Sequence, residues 1–193
     1  GTVASGQTAS QVLAWNNLGM HCMDDDYSVF AILPPYNVVL AQVVTGTNGT
    51  AYRSLGTGVF VRYQAVLDAD SSINTTSIDK GNFWDFTQQM LGVALAPDEG
   101  LSLPGATPGA WMPGAGNPLR PMDYETAPGW FVACGVPITP YDDALQLNPY
   151  PLMHVVATGA VPAASTDIVL PVSVEMNCRA CHSSGSGPAA RPG

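Results

Sequence analysis

Cys178, Cys181 and His182 stand in the run Cys178-Arg179-Ala180-Cys181-His182, a C-x-x-C-H pattern. Two thiols at that spacing can each form a thioether to one vinyl group of a single porphyrin. The histidine that follows then presents its imidazole to the iron, so the run has the form of an attachment site for a covalent haem c. It takes two of the four cysteines and one of the three histidines. One haem is expected, with His182 as the proximal ligand. What occupies the iron's other face then decides the chemistry. An open face binds small ligands or peroxide, whereas a second protein ligand makes an electron carrier, whose potential is higher with methionine than with a second imidazole.

Two histidines remain for that face. His21 lies in Leu18-Gly19-Met20-His21-Cys22-Met23-Asp24-Asp25-Asp26, an irregular segment dense in metal-capable side chains. His154 lies in Pro151-Leu152-Met153-His154-Val155-Val156, a strand pattern in which a single imidazole is ordinarily packed or hydrogen-bonded. A loop aims a side chain at a cofactor more readily than a core strand does. His21 is therefore the expected distal ligand, ahead of His154 and of a thioether from Met20, Met23 or Met176; the plainer alternative for His21 is a surface histidine. The same segment offers Asp24-Asp25-Asp26 to a hard cation such as Ca²⁺, as does Asp142-Asp143, but neither has the spacing or the glycine of an EF-hand loop. Solvated loops or turn caps are the simpler readings. Tetrahedral zinc on Cys178, Cys181 and His182 with His21 or Cys22 is a weaker alternative to haem. Thiol–disulfide exchange is weaker still, because the C-x-x-C opens no helix of a βαβ unit. No Ser/His/Asp triad, phosphate loop or interpretable carboxylate pair accompanies the run, so a non-catalytic carrier is favoured over an enzyme.

The elements that must position these residues read as mainly β. Short segments rich in Val, Ile, Tyr and Thr, bounded by Gly, Pro, Asn or Asp, predict strands near Gln11–Trp15, Val38–Thr45, Gly58–Leu67, Trp130–Cys134, Leu152–Thr158 and Asp167–Val172. Val59, Val61 and Tyr63 alternate with Phe60, Arg62 and Gln64, the period of a half-buried strand. Gly46-Thr47-Asn48-Gly49-Thr50 is a turn cluster able to close a hairpin. Asn82–Leu91 predicts one short helix, capped by Asn82 and stopped by Gly92, with Phe83, Phe86, Met90 and Leu91 towards the core. Residues 97–128 read as a long ordered Gly/Pro-rich loop, and Ser183–Gly193 as a flexible tail. The expectation is a β-sandwich-like (Ig-like) domain over 1–175, followed by a haem-attachment segment and tail over 176–193.

Composition narrows the setting. Asp and Glu outnumber Lys and Arg by 15 to 6, giving a net charge of −9. That argues against nucleic acid or an anionic membrane as partner. No stretch approaches the roughly 20 apolar residues of a membrane-spanning helix. The start at Gly1-Thr2-Val3-Ala4 suggests a processed N-terminus, and haem c attachment normally takes place outside the cytoplasm. In an oxidising compartment, Cys22 and Cys134 could pair as a disulfide. Asn48-Gly49-Thr50 and Asn74-Thr75-Thr76 match the short glycosylation acceptor pattern.

The pentapeptide resembles that of cytochromes c. The segments Trp15–Asp24, Asn82–Asp85, Val136–Asp143 and Val172–Cys178 are similar to those of a group of secreted bacterial cytochrome c-like proteins. The resemblance spans most of the chain and implies an extracytoplasmic haem protein at the periplasm, cell surface or exterior. The expected function is single-electron transfer with a redox partner protein. The alternative is a secreted structural or filament-forming subunit that carries haem and self-assembles through exposed strand edges.

Overall fold

The computed structural model describes residues 8–28, 33–47, 50–53, 56–101 and 110–176. Eleven strands and one helix are found among them: β1 (Ala9–Asn16), β2 (His21–Asp24), β3 (Asn37–Thr47), β4 (Thr50–Arg53), β5 (Val59–Val66), α1 (Phe83–Leu91), β6 (Arg120–Pro121), β7 (Asp123–Glu125), β8 (Trp130–Val136), β9 (Leu152–Gly159), β10 (Ala164–Val169) and β11 (Val172–Met176). A five-stranded sheet runs β1-β3-β8-β7, with β4 also on β3; a four-stranded sheet runs β10-β9-β5-β6. All pairings within these two sheets are antiparallel. The expected β-sandwich-like class is what the chain adopts.

Alternation explains how the layers close. Val59, Val61 and Tyr63 on β5 are buried, while Phe60 between them is exposed. Their core neighbours include Met153, Val155 and Ala157 of β9, Val39, Ala41 and Val43 of β3, and Phe131 and Ala133 of β8. One apolar face from each sheet thus supplies a shared core, as a sandwich requires. The helix caps one end of that core. Phe83 packs edge-on against Tyr27, Tyr36 and Trp84, with ring centroids 5.0, 5.5 and 4.9 Å away.

Several expectations are corrected by particular residues. The strand expected over Asp167–Val172 is two strands, broken at Leu170-Pro171, where proline has no N–H for a ladder. Asn82 does not cap α1 with its side chain. Instead its Oδ1 accepts from the Tyr27 amide at 2.9 Å and its Nδ2 donates to Asp26 at 2.6 Å. Gly92 does end the helix, in the left-handed conformation at φ 73°. On the helix, Leu91 lies at the surface and Trp84 takes its place against the core. The long 97–128 segment contains β6 and β7, and Met112 and Met122 within it are buried. It is fastened by the Tyr63 hydroxyl donating to the Trp111 carbonyl at 2.7 Å, and by the Arg120 guanidinium on the Met112 and Pro113 carbonyls.

The single lysine is part of the frame. Lys80 Nζ donates to Asn74 Oδ1 at 2.8 Å and pairs with Asp143 Oδ1 at 2.7 Å. Asp143 also accepts from the Thr75 amide and hydroxyl. Burial pushes the Asp143 carboxyl up, but the Lys80 ammonium and the two Thr75 donors outweigh it and hold the group below its ordinary value. The stability so gained is present above about pH 4 and is lost as pH falls through the lower, folded-state value. Lys80→Met should cost about 1–3 kcal/mol at neutral pH and should flatten the acid limb of a stability-versus-pH curve measured by urea unfolding. An unchanged acid limb would show that the pair does not govern it.

Candidate haem site

A third, two-stranded sheet joins two distant parts of the sequence. β2 pairs in parallel with β11: His21 lies opposite Val172, Cys22 opposite Ser173 and, beyond a register shift, Asp24 opposite Met176. The His21 amide donates to the Pro171 carbonyl at 2.8 Å, and the Val172 amide to the Pro149 carbonyl at 2.9 Å. Residues 20–24 are therefore held beside the strand that leads into the C-x-x-C-H run. That run, Cys178, Cys181 and His182 included, lies outside the described residues, as does the Ser183–Gly193 tail; β11 itself runs through Met176, across the expected 175/176 boundary.

Far-side supports hold β2 in place. The Asp24 amide donates to the Leu33 carbonyl at 3.3 Å, and Asp24 Oδ2 accepts from the Leu33 amide at 3.0 Å. The Tyr27 hydroxyl donates to the same carbonyl at 2.8 Å. Through Asn82 this loop is tied to the start of α1, so the aromatic cluster on Phe83 also steadies the β2 segment.

His21 is half-buried in this frame. Burial lowers its imidazole below the ordinary value, while a hydrogen bond to the Pro34 carbonyl works in the opposite direction. Nδ1 is buried and has no hydrogen-bond partner. Burial thus disfavours the charged imidazole and leaves Nδ1 without a protein partner.

The other candidates are placed differently. Met23 is buried in the core, whereas Met20 is 45% exposed. His154 sits on β9 opposite Asp167 of β10, and its Nδ1 lies 2.5 Å from the Asp167 carboxylate. It is a hydrogen-bonded sheet histidine, as its strand setting suggests. Cys22 and Cys134 are free thiols, one on the small parallel ladder and the other on β8 of the five-stranded sheet, so the disulfide considered for them is not made. Burial, with Glu125 nearby, pushes the Cys134 thiol up.

Several of the carboxylates weighed as weak Ca²⁺ candidates serve local hydrogen bonds. Asp24 serves Leu33, and Asp26 Oδ1 accepts from Ser28 and Asn82. Asp142 Oδ1 caps a turn by accepting from the Ala144 and Gln146 amides. Among the described residues, no group of three or more His, Cys, Asp or Glu is arranged to hold a metal ion. Asn74 is buried, with both ends of its amide used by Thr139 and Lys80, and is not an available glycosylation acceptor. Asn48-Gly49 lies outside the described residues.

Two surface cavities lie near the ladder. One, of about 270 Å³, is lined by Met23, Asp25, Asp79, Lys80, Gly81, Tyr141 and Leu145. Its lysine is already engaged by Asn74 and Asp143 and offers no free amine. The other, of about 260 Å³, is an open groove lined by Met20, Leu147, Pro149, Tyr150, Ser173 and Val174. Sequence reasoning missed this groove and the ladder beside it. β2 has only four residues, too few to show a period, and Leu147 and Tyr150 lie in a segment without regular pattern.

No family model, curated protein or solved structure matches the chain. No helix among the described residues is long and apolar enough to cross a membrane.

Proposed function

We propose that the chain is a monohaem c-type electron carrier that works outside the cytoplasm, exchanging single electrons with a redox partner protein. The β2–β11 ladder carries this reading, because it brings His21 alongside the strand that runs into the attachment sequence. Met176 lies opposite Asp24, about 10 Å along β2 from His21. His182 follows Met176 by six positions, a span of at most about 20 Å. Both imidazoles are thus within covalent reach of one iron.

Cys178 and Cys181 would hold the porphyrin through thioethers, and His182 and His21 would supply imidazoles to its iron. Bound there, the haem supplies a one-electron Fe(III)/Fe(II) couple. The chain's own contribution is to orient and to protect. The Pro34 carbonyl would help to steady the His21 ring, and burial disfavours its charged form, which cannot ligate. Leaving Nδ1 buried and unpartnered costs about 1–3 kcal/mol, which ligation would recover. The acidic surface suits a partner whose docking face is locally basic.

The matured protein should give a six-coordinate, low-spin spectrum that carbon monoxide or cyanide changes little. His21→Ala should convert it to high-spin iron that binds carbon monoxide. High-spin iron with peroxidase turnover in the unaltered protein would reject the carrier reading, and an unchanged His21→Ala spectrum would remove His21 from the iron.

A further inference from the structure

We propose that the groove lined by Met20, Leu147, Pro149, Tyr150, Ser173 and Val174 seats one edge of the haem macrocycle, a proposal that rests on the haem reading above. Three of these side chains are large, apolar and unusually open: Met20 is 45% exposed, Leu147 62% and Tyr150 56%. Scattered exposed apolar residues need no explanation, but these three line one cavity together. None of its lining residues is charged, which suits the apolar face of a porphyrin.

Chain continuity identifies the occupant. Val174 lines the groove and Cys178 follows it by four residues, a reach of at most about 14 Å. Met20, at the groove, immediately precedes His21, and Val174 lies two residues beyond Val172, the partner of His21 in the ladder. The groove and the proposed distal ligand therefore both lie within chain reach of the covalent anchor.

The size of the groove defines the mode of binding. At about 260 Å³ it falls short of the roughly 300–1,000 Å³ of pockets that enclose a drug-sized ligand. One edge of the macrocycle is accordingly covered by Met20, Leu147 and Tyr150, and the opposite edge is left at the surface. An exposed edge is where electrons enter and leave. The covered edge raises the potential by excluding water from part of the ring.

Nuclear magnetic resonance of the isotopically labelled, haem-loaded full chain tests the seat, with haem counted separately by the pyridine haemochrome method. The ferric iron should shift or broaden the side-chain resonances of Met20, Leu147 and Tyr150, and leave those of Phe60 on the four-stranded sheet unmoved. Leu147→Ser with Tyr150→Ser should retain one haem per chain but lower the reduction potential. A full haem count with Met20, Leu147 and Tyr150 unmoved, or a potential unaltered in the double variant, would overturn the seat while leaving the haem reading intact. Concentration-dependent protection of these residues in the haem-free chain would overturn it too, by assigning the groove to a second copy. A chain that carries no haem at all would defeat the underlying reading.

Discussion

A chain with both Cys178→Ser and Cys181→Ser should carry no covalent haem: its pyridine haemochrome absorbance should fall to background after acid–acetone extraction. Each single variant should retain at most one thioether. Its haemochrome α band should then move to longer wavelength, because one vinyl group stays conjugated with the ring. His182→Ala keeps both thiols, so any haem that it holds should lack its proximal ligand and show high-spin iron. No other change in the sequence should match the loss in the double variant, because the thiols supply the only covalent links in the proposed site. Extractable haem in the unaltered protein, or covalent haem persisting in the double variant, would reject the attachment. The β layers of the sandwich are built from residues 9–169 and share none of these side chains. The double variant should therefore keep its β-type circular dichroism.

Phe83→Ala should be the most damaging single substitution at the helix. Phe83 is fully buried and touches Tyr27, Tyr36 and Trp84. Removing a buried phenylalanine typically costs about 3–5 kcal/mol. At about 2–4 °C per kcal/mol for a domain of this size, the melting temperature should drop by roughly 6–20 °C. The neighbouring Leu91 is at the surface, and Leu91→Ala should stay within about 0.5 kcal/mol. Urea titrations of the two variants measure this contrast directly, and similar midpoints would show that α1 is not anchored through Phe83. The same substitution should loosen the Tyr27–Asn82–Asp26 connection behind β2. In the haem-loaded protein it should then also raise the fraction of high-spin iron, if His21 is held from behind as described.

The fold was legible where strands are long enough to alternate. β5 shows it best: its period-2 alternation marks a half-buried strand, and Val59, Val61 and Tyr63 form the buried face. β3, β8 and β9 are legible from β-prone residues bounded by turn formers, and Gly92 ends the helix, as its place after Leu91 suggests, in the left-handed conformation. What escaped had no local signal. β6 and β7 have two and three residues, too short for a period, and they exist because partner strands complete them. The Asn82 side chain has the chemistry of a helix cap, but tertiary partners in the 26–27 loop outcompete the helix for it. His21 could be singled out by its company of metal-capable residues. Its pairing opposite Val172 could not, because parallel partners are set by topology and leave no mark in either strand.

That parallel pairing also bears on the order of assembly. β2 and β11 are separated by about 150 residues, whereas β3–β4, β7–β8 and β9–β10 are hairpins of near neighbours. Closing so long a loop costs more chain entropy than closing a hairpin, so the ladder is expected to form after the local hairpins. On the haem reading proposed above, the attachment sequence would remain tethered to an almost finished domain until the ladder closes. Docking of β11 on β2 would then bring His21 within chain reach of the attached haem. Covalent attachment should on that account precede closure of the two-stranded sheet, and a protein loaded with haem only after folding should show less low-spin iron.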